Sequence, residues 1–436
     1  MPAMNDALSH ALEATIARYA ARNPTSARLL DEAATAMPGG NTRSVLFHPP
    51  FPLAMSRGEG CRLWDEDGHA YLDALGEFTA ALYGHSNAHI RAAIADALSA
   101  GLNLSSHTAR EAALAREIQR RFPGMALLRF ANSGTEANLL ALAVAKAHTG
   151  RGKVVVFEGA YHGGVLTFGG GPSPMNVPHD FVFARYNDLG SVQALLADHG
   201  PDVAAILVEP MLGAGGTIPG DPAFLAGLRA LATEHGVQLI FDEVMTSRLS
   251  FGGRQALLDI APDLTTAGKY LGGGLSFGVF GGRAEVMARF DPRRPDALAH
   301  AGTFNNNVLT MAAGLAGLTQ VLTAEALDAL NRRGDALRER LNATLADQAV
   351  DMQFTGLGSL MTLHATARPV RSPADLAGTD GRAKDLVFFA LLERGIFMAR
   401  RGMIALSLPF GDAECDTLAA AFEDAIRTHR DVLPRR

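Results

Sequence analysis

The sequence predicts an α/β protein: a large domain built on a mostly parallel central sheet, and a smaller α+β domain assembled from the N- and C-terminal segments. Three observations predict it. Between about residues 85 and 325, helical stretches alternate with short apolar runs, many of which end in a Gly-rich or acidic turn. Near-continuous apolar strands separated by helices belong to parallel sheets covered on both faces. The chain has 436 residues, more than one ordinary domain holds. The pattern also changes on either side of this stretch, which places the boundaries at 1–75 and 326–436 for the two segments of the small domain and 76–325 for the large one.

Each element has its own signal. Residues 1–35 read as helix, with Leu8, Leu12, Ile16 and Tyr19 spaced for one face. Pro38, Gly39 and Gly40 break it into a loop. Strand signals follow at Ala54–Met55 and Arg62–Trp64, and Asp65–His69 fits a hairpin tip. The apolar runs of the large domain are Val154–Phe157, Ala204–Val208 leading to Glu209, Gln238–Phe241 leading to Asp242, and a weaker Leu264–Thr266 leading to Gly268 and Lys269. Ligands of such sheets sit beyond the carboxyl ends of the strands, so Glu209, Asp242 and Lys269 are expected in one crevice. Residues 323–350 read as a charged amphipathic helix, Met361–His364 and Ile404–Leu408 as strands, and 412–430 as a closing helix.

Composition narrows the function. With 48% hydrophobic and 19% charged residues, the chain is not disordered over most of its length. A net charge of -6 excludes a chain-wide basic footprint for nucleic acid. Two cysteines, Cys61 and Cys415, make neither a disulfide framework nor a four-thiolate zinc site, and the histidines are scattered, so no metal is expected. No apolar run reaches the ~18 residues of a membrane span, and the N-terminus lacks a continuous apolar h-region. The expectation is a soluble cytoplasmic protein with no membrane or nucleic-acid partner.

The chemistry centres on a scarce residue. There are four lysines, Lys146, Lys153, Lys269 and Lys384, against 35 arginines. A lysine after a strand is by default a surface residue, but Lys269 precedes three glycines, Gly272 to Gly274, where backbone approaches a ligand closely. A Walker A loop does not fit, because Asp263 stands where its first Gly belongs and Tyr270 replaces its Ser/Thr. Asp242 closes an apolar run; such a buried carboxylate is either a helix cap or the partner of a cation. Ser133 and Glu136 form a capping-box pattern before the helix Leu139–Ala147, and the helix start at Ser133, Gly134 and Thr135 is either an ordinary capped end or an anion site. Tyr161 lies on a glycine-flexed loop at a strand end, where it can either lie flat on a ring or pack into the core, while His162 reads as a structural hydrogen-bonding residue. An amine, a ring-nitrogen carboxylate, a phosphate cradle and a stacking aromatic describe a pyridoxal 5′-phosphate (PLP) site.

Six segments then occur in a recognisable order: Asn132–Ala137, Tyr161–Gly163, Phe241–Thr246, Gly268-Lys269 with Gly272–Gly274, Phe280–Gly282, and Gly302-Thr303. In these the chain resembles the class III aminotransferases of PLP fold type I, from about residue 37 to the C-terminus. The resemblance implies that Lys269 is the Schiff-base lysine and that Asp242 pairs with the pyridine nitrogen. It places Val244 and Tyr161 on the two ring faces, Ser133, Gly134 and Thr135 at the phosphate, and Glu209 near the ring's O3′ side. Thr303 would reach the phosphate from the other subunit of a homodimer. Within the family, Asn41–Phe47, Thr246–Leu249 and Arg400–Gly402 resemble the β-amino acid aminotransferases that act on β-phenylalanine. Tyr161–Gly164 and Gly302–Asn307 depart from the glutamate-1-semialdehyde 2,1-aminomutase pattern. The resemblance therefore implies a β-amino acid:2-oxoglutarate aminotransferase, with the aminomutase as the alternative. Substrate carboxylates call for the planar fork of arginine. The resemblance places Arg43 and Arg401 on the two sides of the substrate, with Arg400 as a substitute for Arg401.

Overall fold

The computed structural model describes residues 2–171 and 173–435. Its centre is a seven-stranded sheet: β1 (Leu127–Ala131), β2 (Lys153–Phe157), β3 (Asp180–Ala184), β4 (Val203–Val208), β5 (Gln238–Asp242), β6 (Leu264–Gly268) and β7 (Gly278–Gly282). The order is β1-β7-β6-β5-β4-β2-β3. β7 runs antiparallel to both of its neighbours, and the other pairings are parallel. Every residue of β4, β5, β6 and β7 is buried, which is why β4 and β5 read as continuous apolar runs rather than alternating ones.

Three strands of this sheet are silent in the sequence. β1 and β3 are half-buried, with exposed first residues. β7 is three-fifths glycine for a steric reason: a Cβ on Gly278 would lie 2.0 Å from the Ser133 carbonyl oxygen, and one on Gly282 2.1 Å from that of Asp263. Close packing against the Ser133 turn and the Asp263 carbonyl leaves β7 with Val279 as its one β-branched residue, too few to mark a strand.

A four-stranded sheet has the order Met55–Glu59, Arg62–Asp65, Ala70–Asp73 and Ile396–Phe397, so a C-terminal strand pairs in parallel with an N-terminal one. A three-stranded sheet combines Gln353–Leu357, Leu360–His364 and Met403–Ala405. The strand expected over Ile404–Leu408 ends at Ala405: Leu406 still donates to Ser359 O in the register of the ladder, but Leu408 turns away and donates to Leu82 O. The N-terminal helix is two helices, Pro2–Arg22 and Pro24–Ala34, broken at Asn23 by the proline that follows it. Leu8 and Tyr19 of the first helix are buried, Leu12 and Ile16 pack against the same core, and Tyr19 meets Phe389 edge-on at 5.1 Å. Among the described residues no single helix is long and apolar enough to cross a membrane.

Candidate active site

Parallel pairing sets the site. β4, β5 and β6 lie side by side, and their carboxyl ends deliver Glu209, Asp242 and Lys269. Asp242 is opposite Thr266, so the lysine, three residues further on, emerges just past the neighbouring strand end. Lys269 has φ +56°, a left-handed conformation that non-glycine residues seldom adopt and that turns its side chain out of the strand.

Asp242 is buried and saturated. Its Oδ2 accepts from Asn138 Nδ2 at 2.8 Å and lies 2.7 Å from His162 Nδ1, and its Oδ1 accepts from the Val244 N–H at 3.0 Å. Asn138 is itself fixed by the Thr266 hydroxyl, which donates to its Oδ1 at 2.6 Å. His162 Nε2 is buried without a partner, so a proton on Nδ1 and a bare Nε2 leave no donor unpaired. His162 is thus the hydrogen-bonding residue that the sequence suggested. Asn138 was not singled out; it lies one helical turn after Thr135, and nothing in the sequence joins it to Asp242.

Glu209 accepts from the Tyr161 N–H at 3.0 Å and the Gly213 N–H at 2.8 Å. Burial, aided by the Asp242 carboxylate and opposed by His162, pushes it up to about 7. Lys269 Nζ donates to Phe78 O at 2.6 Å and Thr79 Oγ1 at 2.7 Å. Burial brings its amine down to about 7; Arg401 and Arg248 act in the same direction, and Asp242 and Glu209 oppose it.

The segment receiving the lysine was missed in the sequence. Gly76, Glu77, Phe78 and Thr79 all have positive φ, between 48° and 81°. Such a run costs energy and persists only where its surroundings dictate it, and it follows the strand Ala70–Asp73 directly. Phe78 also gathers the two arginines expected at the substrate. The Arg43 and Arg401 guanidinium carbons lie 5.4 and 5.1 Å from its ring centroid. Arg43 is exposed and ion-paired with Glu77. Half-buried Arg401 has one hydrogen bond, to the Met403 sulfur at 3.2 Å, and no carboxylate within ion-pair distance among the described residues. Arg400, its possible substitute, is ion-paired: Asp385 binds it through both carboxylate oxygens, at 2.8 and 2.6 Å.

Ser133 caps the helix Gly134–Thr149, its Oγ accepting from the Glu136 N–H at 3.1 Å. The expected capping box is displaced by one residue: the Glu136 side chain accepts from the Asn132 N–H and Nδ2 rather than from Ser133. The Gly134 and Thr135 N–H groups, in the first turn, have no intrahelical acceptor. A Cβ on Gly134 would lie 2.9 Å from Val244, and one on Gly163 2.1 Å from the Thr135 hydroxyl, so the helix start, the Val244 turn and the Tyr161 loop are pressed together. Tyr161 remains largely exposed at the mouth. Thr303 is exposed, two residues from Asn305, whose Oδ1 accepts from Asn132 at 3.0 Å. Below Phe78 lies a cavity of about 660 Å³ with a largely apolar lining that includes Val45, Leu46, Phe47, Phe397 and Met398, and Arg401 stands on its wall.

The donor set fits PLP: an amine free near neutrality for its aldehyde, a three-donor carboxylate for its ring nitrogen, and a capped helix start for its phosphate. Fold and site together define a class of enzyme, and the chain belongs to the class III aminotransferases, matching that family over residues 46–426. It is a PLP-dependent transaminase of fold type I. The chain is similar to the β-phenylalanine transaminase of Variovorax paradoxus, 55% identical over 98% of this chain and 99% of that one. A crystal structure of a β-phenylalanine aminotransferase from the same organism superposes with a TM-score of 0.97 at 55% identity, covering 98% of this chain and 99% of that one. A glutamate-1-semialdehyde 2,1-aminomutase of Desulforamulus reducens is more distant, 36% identical over 91% of this chain and 96% of its own.

Proposed function

We propose that this enzyme transaminates a β-amino acid of the β-phenylalanine type with 2-oxoglutarate, giving a β-keto acid and glutamate. The observation that carries this reading is Arg401, a half-buried guanidinium without a carboxylate partner, standing beside Lys269 on the wall of a cavity large and apolar enough for a phenyl group. The 55% identity to a β-phenylalanine transaminase supports it.

Bound PLP supplies an aldehyde that condenses with amines and a cationic ring that stores the electron pair left by proton removal. Asp242 keeps the proton on the ring nitrogen, and Asn138, His162 and Val244 hold the carboxylate in place for that task. Lys269, with an amine free near pH 7, takes the proton from the carbon that bears the substrate nitrogen and returns it on the other side of that nitrogen. In a β-amino acid this is the β-carbon. Ser133, Gly134 and Thr135 would hold the phosphate, joined by the partner subunit's Thr303 in a homodimer. Val244 and Tyr161 would flank the ring of bound PLP, and Glu209 would stand near its O3′ side. Arg43 takes the carboxylate of the β-amino acid, and Arg401 that of the 2-oxo acid. The pairing of Ile396–Phe397 with Ala70–Asp73 supports a division of the chain near residues 75 and 325.

Incubation with β-phenylalanine and 2-oxoglutarate tests the reading: glutamate should accumulate, in proportion to the β-phenylalanine consumed. Glutamate formed from no β-amino acid, together with isomerisation of glutamate-1-semialdehyde, would assign the aminomutase reaction instead. Sedimentation should give about twice 46.0 kDa or a multiple of it, and an active monomer would remove the partner's threonine from the scheme.

A further inference from the structure

Arg401 lines two cavities. Besides the large apolar one, it borders a second of about 250 Å³, enclosed by Gly159–Tyr161, the loop Ala214–Gly216, Thr362 and His364 of the strand Leu360–His364, and Lys384 near the start of the helix Gly381–Glu393. Its polar lining includes two donors that lack acceptors. Thr362 is 3% exposed, and its hydroxyl is buried without a hydrogen-bond partner. The half-buried Lys384 ammonium has no hydrogen-bond or ion-pair partner among the described residues, and burial lowers it from the usual lysine range. The neighbouring carboxylate, Asp385, is taken by Arg400. His364 contributes no charge: burial, with Lys384 acting in the same direction, lowers it to about 4, and its Nε2 donates to Gly216 O at 3.0 Å. No Asp or Glu lines the cavity among the described residues.

Buried polar groups are normally paired, and a cation drawn out of water without a counter-ion is costly. Here a strand, a helix and a loop each present such a group to one small space. Thr362 and His364 reach it together because alternate strand residues share a face. Two cations and a hydroxyl donor with no competing acid match a carboxylate.

We propose that this cavity is a carboxylate subsite in which Lys384 and Thr362 bind the distal carboxylate of the dicarboxylic amino acceptor. It rests on the reading of that acceptor as a 2-oxo diacid. The two cavities then sort unlike substrates by chemistry: the apolar one receives the aromatic side chain, the cationic one the second carboxylate, and Arg401 stands between them.

The test uses the cofactor-loaded enzyme and the variants Lys384→Met, Lys384→Arg and Thr362→Val, with thermal unfolding as a check on folding. Two quantities are measured: the ratio of kcat/KM for 2-oxoglutarate to that for pyruvate, and the calorimetric affinity for glutarate, a diacid that accepts no amine. Loss of one charged contact should lower both by about tenfold or more in Lys384→Met, with the change mainly in KM for 2-oxoglutarate. Thr362→Val should lower both by a smaller factor, and Lys384→Arg should restore most of the loss. An unchanged ratio and unchanged glutarate affinity in Lys384→Met would overturn the proposal while leaving 2-oxoglutarate as the acceptor. If wild type prefers pyruvate, yet Lys384→Met still weakens glutarate binding, the acceptor reading fails and the carboxylate subsite stands. Weakening of inorganic phosphate binding without weakening of glutarate binding would overturn it in favour of a general anion site.

Discussion

Replacing Asp242 by asparagine tests the centre of the scheme. The carboxylate accepts from Asn138 and His162 on Oδ2 and from the Val244 N–H on Oδ1, so every neighbour is a donor. An asparagine fits this pocket in size but places an NH₂ group against a donor in either orientation. Facing Val244 is the lesser conflict, since it affects one hydrogen bond rather than two. An unpaired buried donor costs about 1–3 kcal/mol of stability, so the variant should fold with a lower Tm. The catalytic loss is larger in kind, because a neutral amide cannot keep the proton on the cofactor's ring nitrogen. An electrostatic contribution of about 2.7 kcal/mol or more in the transition state corresponds to a rate loss of ~10²-fold or more. The assay is the donor half-reaction with β-phenylalanine, followed through the cofactor's visible spectrum at full cofactor occupancy. Near wild-type turnover with cofactor bound would refute the reasoning, because some other group would then be holding the ring proton.

Borohydride treatment of the yellow holoenzyme should fix a pyridoxyl group on Lys269; peptide mapping that placed it on Lys146, Lys153 or Lys384 would remove the lysine from its role. Arg401→Ala should raise KM for 2-oxoglutarate by about tenfold or more and for β-phenylalanine much less, with Arg43→Ala doing the reverse, since Arg401 has no carboxylate of its own. Equal losses for both substrates in both variants would abolish the division. Lys269 titrates near 7 in the fold and near 10.5 when unfolded, so between these pH values the unfolded chain holds the extra proton and the cofactor-free protein gains stability as pH rises. Glu209, raised from 4.5 to about 7, has the opposite effect: between these values the fold holds the extra proton, and stability falls as pH rises. Chemical denaturation of cofactor-free wild type, Lys269→Met and Glu209→Gln across this range should show wild type gaining on Lys269→Met above pH 7 and losing against Glu209→Gln between about 4.5 and 7; pH-independent margins would contradict both assignments.

What the sequence determined by itself was the apolar parallel strands of the sheet's interior and the residues at their carboxyl ends. β4 and β5 are buried on both faces, so they had to be apolar throughout, and a carboxylate after such a run is conspicuous. Lys269 stood out because lysine is scarce here. What only the tertiary structure decided depends on contacts between residues far apart in the chain. β7 is glycine-rich because the Ser133 turn lies against it, which erased its strand signal. Asn138 reaches Asp242 across 104 residues and Lys269 reaches Phe78 across 191, and neither spacing carries a local pattern. The difference between Arg400 and Arg401 is of the same kind: adjacent in sequence and equal in chemistry, they differ because Asp385, one turn into a distant helix, pairs with the first and not with the second. Helix and strand periodicity record which face is buried, but the partner waiting at that face is set by how the elements pack.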